Sequence, residues 1–512
     1  MRSLKNMSAA QVAMVMFVIM IGSKILGFVR EMAFANVYGT SYIMDAYAMS
    51  QSIPLMILGV FLDPIGTAYM PIFSDITEKK GKEEGLLYTS KIICLLVTAS
   101  LVVVVFSIFF SNFIVSVFAP GFGDNTKLLT GYYLNVTLVC TSLVCLSSII
   151  TAFLQYNNKF ITSSITGYIT DFCILTAIFV SSKLNPEWLI CGVFASSTIK
   201  LVYLLALAKK SGFRFRVCIG FDKSIRKTII LAIPVFLGST VGQINAFVDK
   251  LLASNLPEGT VSALNYGHTL CAMVPALTTS IISTILYPKI NKAASREDWN
   301  RYNEITKSSI IVSFIITIPF SLGMMLYSRE LIEIIYQHGS FTAASTEKTM
   351  NALLFYSIGL VFMGMYSMLV EVAYSLKQTK ISNISSVFGI VVNISLDFAL
   401  VGVWGIKGLA LATSMSLLVN CIVITLFLRI KFKELSVAPS LSYVFRILLI
   451  SVGSVAVSRT IYGGLIMMNC IPIVSLVISG LSAVCLYCVL LKVFRISEIE
   501  QLIIMIRNKK HE

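Results

Sequence analysis

Charge is scarce in this chain. Only 13% of the 512 residues are Asp, Glu, Lys or Arg, about half the share carried by an ordinary soluble protein. That shortage excludes a soluble domain of this length. Histidine is rarer still, with His268, His338 and His511 alone, and no metal-ligand spacing forms around them. No glycine-rich phosphate loop of the Walker type occurs. No nucleophile–base pairing points to an enzyme. The eleven cysteines are scattered, mostly through apolar stretches. Cys485-Leu-Tyr-Cys488 has redox spacing but lies in a late apolar run, where it reads as packing.

What the chain has instead is apolar length. It is 56% hydrophobic with a mean hydropathy of +0.85. Runs near twenty residues recur, long enough to span a bilayer as helices. The expected fold is an all-α polytopic membrane protein with about fourteen transmembrane helices. The first run, after Met1-Arg-Ser-Leu-Lys5, is too long and too charged for a cleavable signal and reads as a retained first helix.

The net charge of +15 has a place to go. Taking the connections in alternation, one set holds Lys79, Lys80 and Lys82, the Lys209–Lys227 and Lys289–Lys307 segments, Lys377, Lys380, Arg429, Lys431 and Lys433. The other set holds Lys127, Lys183 and Arg329. The positive-inside bias puts both termini in the cytoplasm. The basic loops orient helices and meet anionic lipid, so no nucleic-acid partner is expected.

The chain also repeats itself at an offset of about 218 to 221 residues. Tyr69-Met-Pro-Ile72 matches Tyr287-Pro-Lys-Ile290, and Val117-Phe-Ala-Pro-Gly-Phe122 matches Ile335-Tyr-Gln-His-Gly-Ser-Phe341. A shift of six helices preserves membrane orientation, as in parallel transporter repeats. The expected division is a six-helix lobe over 1–220, a second over 221–435, and two extra helices with a tail over 436–512. Paired lobes suit alternating access.

The most informative stretch is Gly22-Ser-Lys-Ile-Leu-Gly-Phe-Val-Arg-Glu31, followed by Met44-Asp-Ala-Tyr47. It places Lys24 about 20 Å along the first helix. A charge at a bilayer centre costs roughly 2.5–3.5 kcal/mol, and such groups usually face a pathway. Arg30 and Asp45 flank the first turn at similar distance, so an ion pair between them is expected. Lys24 then remains as the unexplained charge, its cost to be offset by a partner, a water-filled cavity or an anionic substrate.

These residues, with Tyr69-Met-Pro-Ile-Phe73, Ala119-Pro-Gly-Phe122 and Gly339-Ser-Phe-Thr-Ala343, resemble the MurJ/MviN family, the lipid II flippases of the multidrug/oligosaccharidyl-lipid/polysaccharide exporter superfamily. The resemblance covers essentially the whole chain. It implies flipping of a polyprenyl-diphosphate-linked glycan, most simply lipid II for peptidoglycan synthesis, across the bacterial cytoplasmic membrane. It implies substrate contacts at Lys24 and Arg30, with Asp45 and Glu31 as gate or ion-pair residues. It also implies a tail groove on the last two helices and possible contact with cell-wall synthesis enzymes. Two departures stand out. Lys24 occupies a position that is commonly arginine, so the bidentate fork for phosphate is lost. The family's second-helix arginine pair falls at Leu58-Gly59, and its eighth-helix arginine at Thr269, beside His268.

Other charges lie within apolar runs. Asp63 either lines the cavity, with His268 and Thr269, or marks the bend before Pro64. Lys200 is expected to brace against Asp171. Asp249 and Lys250 are expected to snorkel outward. Glu371 and Asp397 are candidates for a coupling ion. No cofactor is expected beyond the membrane potential or a monovalent cation. Ser328–Thr346, with Leu331, Ile334 and Ile335 at helical spacing, predicts a short amphipathic outer helix. The competing readings are a flippase for another lipid-linked saccharide, a cation-coupled drug exporter of the same superfamily, and a non-transporting scaffold for envelope assembly.

Overall fold

The structure is a computed structural model. It describes residues 9–435 and 441–494 apart from residue 219, and at some helical positions, Asp63 among them, the backbone alone. Every regular element among the described residues is helical. In order these are α1 (Ala9–Tyr38), α2 (Tyr42–Pro54), a π-helical turn (Leu55–Gly59), α3 (Val60–Lys80), α4 (Lys82–Phe109), α5 (Ser111–Phe118), α6 (Asp124–Tyr156), α7 (Phe160–Ser164), α8 (Thr166–Lys183) and α9 (Trp188–Lys210). There follow α10 (Lys223–Ala253), α11 (Thr260–Ile285), α12 (Tyr287–Ser295), α13 (Trp299–Leu326), α14 (Ser328–Tyr336), α15 (Ala343–Ser375), α16 (Thr379–Trp404), α17 (Ile406–Lys431), α18 (Leu441–Met467) and α19 (Pro472–Val493).

Among the described residues, ten helices are long and apolar enough to cross a membrane, and α2 with α3 makes an eleventh bent span. Pro54, Pro64 and the π-turn supply the bend, because each interrupts the i→i−4 ladder. The long helices α1, α10 and α11 complete fourteen passages. The chain is a multi-pass membrane protein. The amphipathic segment expected after Ser328 is α14, which buries Ile332 and Tyr336 and pairs exposed Arg329 with Glu333 at 2.8 Å.

The helix order repeats as the sequence does. The block α4, α5, α6 has 28, 8 and 33 residues, and the block α13, α14, α15 has 28, 9 and 33. Asn158 and Lys377 sit at matching positions after α6 and α15, and both take the left-handed conformation that ends a helix.

By packing, the chain forms two compact units. The first comprises 1–262 and 339–341, so α10 packs with it, chiefly along α3. Within it α6 is central, touching α2, α3, α4 and α9. Tyr69 and Tyr88 stack at 5.7 Å, and the Tyr69 hydroxyl is 2.7 Å from Thr89 Oγ1, which satisfies a fully buried phenol. The second unit comprises 263–338 and 342–512. There α17 packs on α15 and α16, and α18 joins α13 and α19. Tyr487 on α19 donates to the Ile315 carbonyl on α13 at 2.8 Å, fixing the added pair to the bundle.

Candidate functional site

Helix α1 presents the two expected cations differently. Lys24 is exposed, and no ion pair holds it among the described residues. Arg30 is held by two carboxylates. Its Nη1 donates to Asp171 Oδ1 at 2.6 Å and its Nη2 to Glu31 Oε1 at 2.9 Å. The expected Arg30–Asp45 pair is therefore replaced by an Arg30–Asp171 pair, and the reason is packing. Equal depth in a hairpin pairs two residues only if its helices lie side by side. Here α1 lies along α8, not α2. The approach is close: the Asp171 carboxylate sits within 3.8 Å of where a Gly27 Cβ would stand, and the Tyr168 hydroxyl donates to the Ile19 carbonyl at 2.9 Å.

Asp45 does something else. Its Oδ2 accepts from the Gly259 amide at 2.6 Å and its Oδ1 from the Ser262 amide at 2.8 Å. Thr260 begins α11, so this buried carboxylate caps the start of that helix, where unpaired amides and the helix dipole favour negative charge. A reciprocal contact runs beside it, from the Tyr42 amide to Glu258 Oε1 at 2.9 Å. The turn after α1 is pinned a third way. The Ser340 amide donates to the Asn36 carbonyl at 2.8 Å. Gly39 (φ +55°) and Gly339 (φ +58°) permit this, because a Cβ on either would strike the backbone of Ser340 or Asn36. Three chain segments are thus knotted around one α1–α2 turn.

The first unit holds a cavity of about 540 Å³, with mixed polar and apolar walls, between α3, α6, α8 and α9. Lys200 reaches into it, beside Thr67, Ser148, Thr151, Gln155 and Thr166. The expected Lys200–Asp171 brace is absent, since Asp171 is engaged by Arg30. Lys250 does not snorkel either. Its Nζ donates to Ser52 Oγ on α2 at 2.6 Å, and Asp249 is buried.

The remaining candidates are dispersed. The Asp63 side chain lies outside the described ones. Leu58, at one lost arginine position, is buried on the π-turn. His268 is exposed on α11, its ring 5.4 Å edge-on from Tyr356, and Thr269 is partly buried. Glu371 on α15 is partly buried and Asp397 on α16 fully so. Near Asp397 in sequence, Asn393 Nδ2 is 3.4 Å from Thr413 Oγ1. Among the described residues, no three His, Cys, Asp or Glu side chains converge as a metal site.

Sequence reading missed a clamp in the C-terminal half of α18. Arg459 donates to Glu330 of α14 at 2.5 Å and lies 5.1 Å and 5.4 Å from the Tyr327 and Tyr462 rings. An arginine inside an otherwise apolar run was the available signal.

Comparison with known proteins agrees with this picture. A "probable lipid II flippase MurJ" of Thermotoga maritima is 25% identical over 413 residues, 80% of this chain and 84% of that protein. A solved structure titled as lipid II flippase MurJ in an inward closed conformation superposes with a TM-score of 0.82 at 24% identity, covering 94% of this chain and 99% of that one. A multidrug resistance MATE family transporter of the MOP superfamily, in an inward-facing conformation, reaches 0.69 at 13% identity over 82% and 98%. The family model described as lipid II flippase MurJ matches residues 34–484. This chain belongs to the MurJ lipid II flippase family.

Proposed function

We infer that this protein carries lipid II from the inner to the outer leaflet of the bacterial cytoplasmic membrane. The observation that carries the reading, beside family membership, is Lys24: an exposed cation about 22 Å along a transmembrane helix, with no carboxylate at ion-pair distance among the described residues. The anionic diphosphate head group is the chemistry that offsets its cost. Arg30 contributes to the same wall from within its pair with Asp171 and Glu31. The knot around Gly39 and Asp45 acts as the outer latch and releases when the cargo is exposed outside. The two sequence repeats rock as lobes, with both termini in the cytoplasm.

Outward travel suits the energetics. Each elementary charge crossing an inside-negative potential gains about 2.3 kcal/mol per 100 mV. A dianionic head group moving outward is assisted by the potential, and Glu371 and Asp397 are our candidates for any coupling cation. The drug-exporter reading calls for an acidic cavity, whereas the cavity beside Lys200 is lined by no carboxylate among the described residues and Lys24 is a cation.

The test is flipping of lipid II by purified protein in vesicles. Lys24→Ala is expected to cut the rate at least about tenfold, near 1.4 kcal/mol of lost stabilisation, and Lys24→Arg to retain it. Equal rates for wild type and Lys24→Ala would remove the role of Lys24. Export of a cationic dye in place of lipid II would favour the exporter.

A further inference from the structure

Lys200 is a cation with no carboxylate at ion-pair distance among the described residues. It stands twelve residues from the start of α9 and ten from its end, about 18 Å and 15 Å, so it lies well inside that helix, while its cavity reaches the end of α6 at Gln155 and the start of α8 at Thr166. No carboxylate lines its cavity, and no acidic side chain among the described residues acts on it. Asp171, the acid on the neighbouring helix, is taken by Arg30 at 2.6 Å. Burying an ammonium at such depth is costly unless something anionic or well hydrated meets it.

The cavity lining is selective in a second way. The hydroxyls of Ser147, Ser148 and Thr166 donate to the backbone carbonyls of Leu143, Cys145 and Ser163 at 2.7–2.9 Å. Their hydrogens are spent, and they present lone pairs. The side chains of Thr67, Thr151 and Gln155 make no hydrogen bond among the described residues, so two hydroxyls and one amide remain as donors beside the ammonium. One point charge with several uncommitted donors matches an oxyanion with many acceptor oxygens. The volume of about 540 Å³ lies within the 300–1,000 Å³ common for small-ligand sites.

We propose that Lys200, Thr67, Thr151 and Gln155 form a phosphate-binding subsite inside the first unit, separate from Lys24 and Arg30, which holds the diphosphate of the lipid-linked cargo during transit. This rests on the flippase reading. The shared chemistry, a phosphate ester at membrane depth, also belongs to anionic phospholipid, and the experiment separates the two.

The full-length protein in neutral detergent is titrated with farnesyl diphosphate, with farnesol, and with phosphatidylglycerol, following binding by native mass spectrometry. Lys200→Gln is expected to weaken farnesyl diphosphate binding at least about tenfold, with Lys200→Arg recovering most of it and farnesol unaffected throughout. Thermal unfolding checks that each variant is folded. Should Lys200→Gln fail to fold, Thr67→Val with Thr151→Val leaves the cation in place and is expected to weaken binding about threefold or more. Unchanged farnesyl diphosphate binding in either folded variant overturns the subsite and leaves the flippase reading standing. A loss confined to phosphatidylglycerol overturns the cargo assignment. Failure of the wild type to bind farnesyl diphosphate at all overturns both.

Discussion

The turn after α1 and the middle of the first unit solve the same problem in opposite ways. At the turn, the polar groups are met by fixed protein partners: Asp45 by two amides, Glu258 by the Tyr42 amide, Asn36 by Ser340. In the middle, Lys24 and Lys200 are cations without a carboxylate partner among the described residues, while Arg30, a few residues from Lys24, has two. A satisfied network holds one state, and removing any member leaves its partner stranded. Cations left without a counter-charge are ready for a ligand that brings its own. The contrast is what our proposal reads as an outer latch and a binding wall within one fold.

The sharpest way to break the comparison is at the latch. Gly339→Ala places a methyl against the Asn36 side-chain amide and, behind it, the Asn36 backbone carbonyl, at a left-handed residue; the side chain can swing away but the carbonyl cannot. We expect loss of the 339–341 strap and collapse of flipping in vesicles, with lipid II accumulating in the inner leaflet. Retained flipping would show that the strap is dispensable.

A smaller effect is expected from Asp45→Asn. It keeps one acceptor oxygen but loses the charge and one of two charge-assisted bonds, at a cost of roughly 1.5–3 kcal/mol. If Asp45 closes the latch, this variant shifts the protein toward outward-open, and a cysteine placed at Thr40 in a cysteine-free background gains labelling by an impermeant thiol reagent. Unaltered labelling would reduce Asp45 to a structural cap.

The smallest effect lies outside both regions, at Asp222, the N-cap of α10. Burial acts to raise its carboxyl, but the hydrogen bond from Lys91 (2.6 Å) and those from the Ile225 and Ser224 amides outweigh it and hold the group below the ordinary carboxylate value. A depressed folded value means stability present above the unfolded carboxyl range, near 4, and lost as pH falls through the folded value. Asp222→Asn keeps a good cap and loses the ion pair. Because the side chain is 40% exposed, the loss at neutral pH is expected to be under about 1 kcal/mol. Thermal unfolding of wild type and variant should converge as pH is lowered through that range.

Much of the fold was legible before any coordinates. Hydropathy runs gave the fourteen passages, and the spacing of Leu331, Ile334 and Ile335 gave α14. The duplicated landmarks anticipated the matching α4–α6 and α13–α15 blocks. The pairing of Arg30 was not legible. Depth along a helix follows from counting residues, but which neighbour stands at that depth does not, and α8 rather than α2 supplies the carboxylate. The π-turn under Leu58 carries no distinctive residue pattern beyond the prolines around it. The Arg459 clamp joins residues 129 apart in sequence, beyond the reach of periodicity.

Sequence alone settled that this chain crosses the bilayer many times, that it is internally doubled, and that its first helix carries cations at depth. Those properties follow from composition and spacing, which are local and one-dimensional. Tertiary structure alone decided which cations are neutralised and which stay open. Asp171 faces α1 across Gly27, where it meets Arg30, while Lys200 lines a cavity to which Asp171 does not contribute.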